Sequence, residues 1–303
     1  MASRYSLDYI DLAQLPAPSA VEPLDYATIF ARNLSDFISR DPAYQILLES
    51  DPAVKVLEVG SFMEEIMRGR VNDAVKAVLL PLSYGTNLDA LGARFEVERM
   101  VVDPGDPRGS PPTPVVMESD ERFRRRIQLA PEAFSTCGSL DAYLFHTLTA
   151  DPRVSDAAVY NHASGLVQPG QVRVVVLAAD MAKIADVLDT VRARLFRRDI
   201  KPLTTDVQLT AATRRDYGID ATLFVGYGPA PAVIQRQAVL NLTAYQAECR
   251  KVGQLVAVSG IEKALHVGGV SSVRLASPAA DVVPALTEYA HCASMTVRVR
   301  PNG

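Results

Sequence analysis

The feature that most constrains the fold of this chain is a long stretch of helical periodicity over residues 52–80. Asp51 suits the N-cap of a helix there, Pro52 suits its first turn, and Pro81 ends it. At about 1.5 Å per residue the helix would reach roughly 40 Å, which is long for a compact domain. The residues at helical spacing are Val54, Leu57, Phe62, Ile66, Met67, Ala74, Val75, Val78 and Leu79. A helix that outgrows its domain needs another chain to cover its apolar side, so this pattern predicts an association module.

The residues before this helix divide into an arm and a further helix. Residues 1–22 are predicted to be an extended arm, because Pro16 and Pro18 close it and each removes a backbone donor. A helix is predicted over 24–40 and a short one near 87–94, which gives a helical domain over 23–102. The exposed apolar residues of this half are expected to lie in a protein interface, and the candidates are Ile10, Leu12, Leu15, Phe62, Ile66 and Val75.

A proline-rich segment at 103–115 separates this part from the rest of the chain. Such proline density favours a semi-rigid, extended spacer, so the sequence predicts a domain boundary here. Beyond it, helical and strand patterns alternate, and they predict one small α+β domain over 116–211 and a second over 212–303. The predicted fold class is therefore an α+β, elongated multidomain chain with an all-helical N-terminal domain.

The individual elements of the second half are predicted as follows. A helix capped by Ser119 carries acids in its first turn and arginines later, as the helix dipole favours. A short helix is expected to open with a capping box formed by Ser259 and Glu262. The other predicted helices cover 139–149, 181–198, 231–249 and 260–267. The predicted strands cover 154–161, 171–178, 206–210, 213–225, 270–276 and 295–300.

Composition argues against several functional classes. The formal net charge is −4, so overall attraction to nucleic acid or to an anionic membrane is not expected. No window approaches a membrane span, and the N-terminus lacks the apolar core of a signal peptide, which predicts a protein of the cytoplasm or of a particle assembled there. Three dispersed cysteines, Cys137, Cys249 and Cys292, form neither a disulfide framework nor zinc spacing. The 25 arginines against six lysines fit an assembly protein, and they fit a GC-rich genome equally well.

Motifs that carry chemistry are not found. The chain lacks a nucleophile elbow, a P-loop and a dinucleotide fingerprint. None of His146, His162, His266 and His291 has a second ligand at metal spacing. His291 and the adjacent Cys292 would point to opposite faces of a strand, which rules them out as a nucleophile–base pair. The expectation is therefore a protein with no cofactor, no metal and no enzyme activity.

Several short motifs, taken in order along the chain, resemble the baseplate J-like family of contractile-tailed phages. The first is Ile10-Asp11-Leu12-x-Gln14-Leu15-Pro16-Ala17-Pro18, and Arg70-Val71-Asn72-x-Ala74 follows in the long helix. The proline-rich junction contributes Pro111-Pro112-Thr113-Pro114-x-Val116-Met117-Glu118-Ser119-Asp120. Near the C-terminus, Ala264-Leu265-His266-Val267-x-Gly269-Val270 continues the likeness. None of these motifs is chemically diagnostic alone, and their order and spacing carry the resemblance.

The resemblance implies a structural wedge subunit of a contractile tail baseplate, which forms the ring around the tail-tube hub. Its implied partners are further copies of itself, the I-like tail protein, the W-like wedge protein and tail hub proteins, with neither nucleic acid nor membrane. The subunit would assemble in the host cytoplasm and reside in the virion. A headless phage-tail-like bacteriocin would use nearly the same subunit. An enzyme with a dispersed active site in the α+β domains is the alternative from another class, and a nucleic-acid-binding adaptor is a third.

Overall fold

Helices and short strands alternate along the computed structural model, which describes residues 18, 21–23, 25–40, 48–135, 138–226 and 230–301. The helices are α1 (Tyr26–Arg40), α2 (Pro52–Ala77), α3 (Gly85–Ala93), α4 (Asp120–Leu129), α5 (Leu140–Ala150), α6 (Ile184–Leu195), α7 (Pro231–Cys249) and α8 (Val258–Leu265). The strands are β1 (Val101–Asp103), β2 (Val116–Met117), β3 (Val154–Tyr160), β4 (Gln171–Ala178), β5 (Asp206–Ala211), β6 (Thr213–Val225), β7 (Val270–Ser277) and β8 (Glu288–Pro301). The predicted α+β class is confirmed.

Two compact units divide the described residues. The helical unit contains the residues up to Arg99 together with 119–127, and the sheet unit contains 100–118 and 128–301. The domain limits inferred from the sequence stay predictions. Within the predicted arm the structure describes only residue 18 and residues 21–22.

Arg99 joins α3 to α4 in the helical unit. Its guanidinium donates hydrogen bonds of 2.7 Å to the carboxylates of Asp89 and Asp120. It also lies 4.7 Å from the ring centroid of Phe123, which is fully buried. The ring rests against Gly92, where a Cβ atom would meet Phe123 Cζ at 2.5 Å. The close approach of the two helices therefore depends on a residue without a side chain.

The first sheet of the sheet unit has the order β3–β4–β5. β4 pairs antiparallel with β3 and parallel with β5, and α6 forms the crossover between β4 and β5. Val174 to Ala178 are fully buried, so the central strand predicted from this valine-rich run is confirmed. α6 contributes Val187, Val191 and Leu195 to the buried residues.

The second sheet has the order β7–β6–β8. β6 pairs antiparallel with β7, and it pairs parallel with β8 from Thr213 to Val225. Alternate residues of β6 point towards α7 and α8, because successive side chains of a strand point to opposite faces. The core between the strands and these helices includes Ile219, Ala221, Leu223, Ile234, Ala238, Leu242, Ile261 and Leu265.

A single residue, Ala212, connects the two sheets. It lies between β5 and β6, and its N–H donates to the carbonyl of Val176 at 2.8 Å, while Thr213 N–H donates to the carbonyl of Thr287 at 3.0 Å. The backbone therefore leaves one sheet and enters the other without a loop. Side chains from both sheets share one buried cluster, which is formed by Ala158, Tyr160, Val175, Leu177, Ala212, Val252 and Tyr289.

The proline-rich segment is a hairpin. β1 and β2 pair antiparallel, and Asp106 and Thr113 exchange two backbone hydrogen bonds of 3.1 and 3.0 Å further along the ribbon. The carboxylates of Asp103 and Asp106 accept hydrogen bonds from the N–H groups of Gly105 and Arg108, which turn the chain locally. The extended spacer expected here is therefore wrong, because the two halves of the segment bond to each other.

The start of α8 also differs from the sequence prediction. The helix begins at Val258, so Ser259 lies inside it and forms no capping box with Glu262. The N–H of Val258 donates instead to the carboxylate of Asp281 at 2.8 Å. A side chain 23 residues away therefore satisfies a donor that a local serine was expected to satisfy.

Three predicted boundaries shift while their elements remain. The long helix ends at Ala77 instead of residue 80. The helix predicted over 181–198 is a 3-10 turn followed by α6. β8 starts at Glu288 and not at residue 295, because it follows β6 over the full length of that strand.

Candidate protein interface

In the central part of α2, the side that faces its own unit is polar, whereas towards both ends this side covers valine and leucine side chains. Ser61 and Asn72 are two of the three buried residues of the helix, and Ser61 Oγ accepts a 3.1 Å hydrogen bond from Asn33 of α1. Asn72 binds the backbone of Glu22 twice, at 3.1 Å through its oxygen and at 2.8 Å through its nitrogen. These contacts satisfy the buried polar groups within the chain. The central part of α2 is therefore held to the rest of its unit by hydrogen bonds on this side.

A charged network extends the polar side. Glu64 accepts hydrogen bonds from Arg32 at 2.5 Å, from Asn33 at 3.3 Å and from Arg68 at 3.0 Å. The hydrogen bond from Arg32, followed by that from Asn33, lowers the pKa of Glu64 to about 2. Arg68 also pairs with Glu22 in the segment before α1. At neutral pH the carboxylate of Glu64 is thus ionised and holds α1 in a fixed register on α2.

The opposite side of α2 is apolar and exposed, and we call it the outer face. Its large side chains are 38–72% exposed and include two methionines and four valines. The outer face consists of Val56, Val59, Phe62, Met63, Ile66, Met67, Val71 and Val78. Since helices normally bury their apolar side and expose their polar side, the central part of α2 is inverted with respect to its own unit. Exposed Arg70 lies on the same side, so the outer face is mainly apolar with one charge within it. An exposed surface with this many large apolar side chains is typical of a binding site for another protein.

The centre of the outer face follows a regular spacing of four, three and four residues. Val56, Met67 and Val78 are eleven residues apart, and the positions between them are Gly60, Met63, Val71 and Ala74. All of these residues are exposed. An eleven-residue repeat corresponds to about 3.67 residues per turn, so the line of side chains runs almost straight along the helix. Gly60 has no atom within 4 Å of an added Cβ, which leaves a shallow notch in the face.

The predicted interface residues fall into three groups. Ile10, Leu12 and Leu15 lie outside the described residues. Phe62 and Ile66 belong to the outer face and are 54% and 38% exposed. Val75 is half-buried, and it lies about two and a half turns from Ile66, on the opposite side of the helix. The structure therefore brings Phe62 and Ile66 together and separates them from Val75.

Four residues of the outer face were not singled out from the sequence: Val56, Val59, Met63 and Val71. Their spacing of three, four and eight residues is itself a helical pattern that would have identified them. The same helix also has a second apolar series at helical spacing, which includes Val54, Leu57 and Val75. These three residues are buried or half-buried. Periodicity alone does not show which of two apolar series faces inward.

Comparison with known proteins adds two findings. The family model of the Baseplate J-like N-terminal domain matches residues 49–106. Over 297 residues the chain is 39% identical to Baseplate protein J of Escherichia phage P2, and the match covers 95% of this chain and 97% of that protein. The chain belongs to the baseplate J-like family. The family-model match contains α2 with its whole outer face, and it ends within the β1–β2 hairpin.

Among the described residues of this baseplate J-like chain, no group of three or more His, Cys, Asp or Glu side chains is arranged to hold a metal ion. Burial raises the pKa of the thiols of Cys249 and Cys292, which makes both poor nucleophiles at neutral pH. His291 and Cys292 are consecutive residues of β8, so their side chains point to opposite faces.

His146 is the histidine with the most perturbed environment. Burial, followed by the positive charge of Arg194, lowers its pKa to about 4. Its Nδ1 atom makes no hydrogen bond within the described part of the chain. At neutral pH this histidine is therefore uncharged, and its ring makes an edge contact with that of Phe145 at 5.4 Å between ring centroids. None of the described helices is long and apolar enough to span a membrane.

Proposed function

We propose that this chain is a structural subunit of a phage tail baseplate, and that the outer face of α2 packs against helices of another subunit. The inverted polarity of α2 carries this proposal. Its polar side is satisfied within the chain by Glu22, Arg32 and Asn33, so the apolar side is left for a partner. Membership of the baseplate J-like family and the likeness to Baseplate protein J of phage P2 support the same assignment.

The form of the outer face indicates what it binds. It spans 23 residues from Val56 to Val78, or about 33 Å of helix. A nearly straight line of valine and methionine side chains suits a long helix that runs beside α2, and Gly60 admits a large side chain of that helix. Methionine tolerates imperfect partners because it is flexible. The proposed partner element is therefore an apolar helix of similar length.

The outer face alone is too small for a stable interface. A strip about 33 Å long and about 10 Å wide covers roughly 330 Å², whereas a standard interface buries roughly 800 Å² on each partner. Further elements must therefore contribute, and we assign part of this area to the N-terminal arm with Ile10, Leu12 and Leu15. An isolated apolar segment closed by prolines is suited to ordering only when its partner is present.

Membership of the family also supports a finer proposal. We propose that the subunit is a wedge of a contractile tail, that copies of it form the ring around the tail-tube hub, and that an I-like tail protein and a W-like wedge protein are its neighbours. It would assemble in the host cytoplasm and remain in the virion, without enzymatic turnover. A helical bundle between copies and the I-like protein would cover the outer face.

The outer face is tested by Ile66→Asp. A charge buried against a partner costs about 2–5 kcal/mol, so tails should fail to assemble. The free subunit should keep its thermal midpoint, because Ile66 is exposed in it. Val283→Asp is the matched control, since Val283 is 69% exposed in the sheet unit and should tolerate the change. Normal tails from the Ile66 variant, scored by electron microscopy, would place the interface elsewhere.

The proposal that the subunit catalyses no reaction is tested by substitution of its histidines. His146, His162, His266 and His291 are replaced by Gln one at a time, and tail assembly and infectivity are measured separately. Each variant that folds should assemble tails of normal activity. A variant that builds complete tails without infectivity would contradict the structural role.

A further inference from the structure

Among the described residues, no helix packs on the second face of the second sheet, opposite α7 and α8. Ile219, Ala221 and Leu223 of β6 point towards α7 and α8. Their alternate neighbours Asp220, Thr222 and Phe224 therefore point to the other side. We call this second side the open face, and its members from β7 and β8 are Ser272, Arg274, Thr296, Arg298 and Arg300. All five of these flanking residues are exposed.

Strand register places the arginines of the open face in a compact group. Thr222 of β6 pairs with Arg274 on one side and with Arg298 on the other, so these three residues form a row across the sheet. Neighbouring strands are about 4.8 Å apart, which separates the two arginine backbones by roughly 10 Å. Arg300 follows Arg298 by two residues on the same face, at roughly 7 Å.

The open face is positive in an otherwise acidic chain. Beside Arg298, the carboxylate of Asp220 accepts a 2.7 Å hydrogen bond and so holds that side chain in place. Further along β6, the charge of Asp216 is balanced by its ion pair with Arg214. Arg274 and Arg300 have no ion-pair partner among the described residues. The face therefore has a net charge of +2 by residue count, whereas the whole chain has −4. Phe224 lies half-buried between Ser272 and Arg300 in the adjacent row.

We propose that the open face is a docking surface for an acidic segment of another protein, separate from the outer face of α2. Carboxylates about 7–10 Å apart match the spacing of Arg274, Arg298 and Arg300, and successive turns or alternate strand residues provide such spacing. Arginine is suited to this role, because its planar guanidinium binds carboxylates in a bidentate manner. The half-buried ring of Phe224 adds the apolar contact that is common at the centre of interfaces.

A protein partner is favoured over a nucleic acid. Single-stranded nucleic acid binds to sheets through several stacked aromatic rings, and the open face has one, Phe224. Its charge of +2 is also small for a phosphate backbone, whose binding depends on many neutralised phosphates. An acidic protein segment needs only two or three matching carboxylates.

The experiment compares the full-length chain with the double variant Arg274→Glu and Arg300→Glu. Binding of a fluorescein-labelled oligoglutamate peptide is followed by anisotropy at low salt. The double variant should bind at least about tenfold more weakly, because two attractive charges become repulsive. Arg236→Glu is the control, since Arg236 is exposed on α7, which covers the opposite face. Its affinity should match that of the unchanged chain, and the thermal midpoints of all variants should agree.

Four outcomes would overturn the proposal. The peptide binds to none of the proteins, or the Arg236 variant loses as much affinity as the double variant. A labelled oligothymidine of the same length binds more tightly than the peptide at equal salt, which would assign the face to nucleic acid. Sedimentation shows that the unchanged chain self-associates and that the double variant does not, which would assign the face to a second copy.

Discussion

Gly92 lies where the side chains of α3 and α4 meet most closely. A methyl group there would approach Phe123 Cζ at 2.5 Å and the carbonyl oxygen of Val97 at 2.7 Å. The aromatic ring is itself fixed beneath Arg99, so it has little room to move away. The absence of a side chain at this residue is what allows the helical unit to close.

Gly92→Ala should lower the free energy of unfolding by about 1–3 kcal/mol, because the added methyl overpacks a filled core. Gly60→Ala is the matched control within α2, where an added Cβ meets nothing within 4 Å. There the change should stabilise the chain by about 0.5–1 kcal/mol, because alanine restricts the unfolded backbone. Urea unfolding measures the free energy of unfolding of both variants. Equal changes in the two variants would contradict the close packing described at Gly92.

His146 should make stability depend on pH. Its pKa is about 4 in the folded chain and 6.5 ordinarily, so the unfolded state binds more protons between these values. The free energy of unfolding should therefore decrease as the pH falls from about 6.5 to about 4, and His146 should have no influence above this window. Because His146 is only half-buried, we expect this decrease in the free energy of unfolding to be about 1–2 kcal/mol.

The contribution of His146 is isolated by comparison with two variants. His146→Gln should flatten the decrease over that pH window, whereas Leu203→Gln, at a fully exposed position without a titratable group, should leave it unchanged. Unfolding by urea at several pH values provides the measurement. If the free energy of unfolding changes with pH equally steeply in the original chain and in the His146 variant, His146 is not held neutral in the folded chain.

At the scale of the element, α2 combines two interfaces of opposite chemistry. Its central polar side binds Glu22, Arg32 and Asn33, which are distant in sequence, whereas the side chains of its apolar side are 38–72% exposed. The sequence predicted the helix and its apolar character. It did not predict the inversion, because a periodic pattern does not show that Ser61 and Asn72 find partners far along the chain.

Asn72 fixes the segment before α1 on α2, and Asn72→Ala should release it. The substitution leaves the N–H and the carbonyl of Glu22 without their partners. We expect the free energy of unfolding to fall by about 1–3 kcal/mol and the amide of Glu22 to exchange faster. Asp73→Ala changes the exposed neighbour and should alter neither quantity. Unchanged exchange at Glu22 in the Asn72 variant would show that other contacts hold the segment.

At the scale of the whole molecule, assembly should depend on the arm. Deletion of residues 2–18 should leave a soluble chain that unfolds cooperatively, because the buried hydrophobic residues of both described units lie after residue 18. The same deletion should prevent completion of a baseplate, because it removes Ile10, Leu12 and Leu15 from the proposed interface. Protection of the arm from amide exchange in the free subunit, or functional tails from the truncated protein, would disprove this role.

Much of the fold was predictable from local signals. α7 begins at Pro231, and β4 coincides with its valine-rich run, so both boundaries were predicted correctly. The errors occur where distant residues decide the outcome. Asp281 caps α8, the length of β6 sets that of β8, and Thr113 folds the proline-rich segment back onto Asp106. Of the candidate interface, Phe62 and Ile66 were predicted as exposed apolar residues, but the full outer face required the structure.

The uninterrupted backbone from β5 through Ala212 into β6 has a mechanical consequence. β5 is bonded in parallel to β4, and β6 is bonded in parallel to β8. Tension along this backbone shears both ladders, so many hydrogen bonds resist together, whereas peeling an edge strand breaks them one after another. A pull that enters one sheet thus reaches the other through covalent bonds, and the sheet unit should stretch less readily along this line than across it.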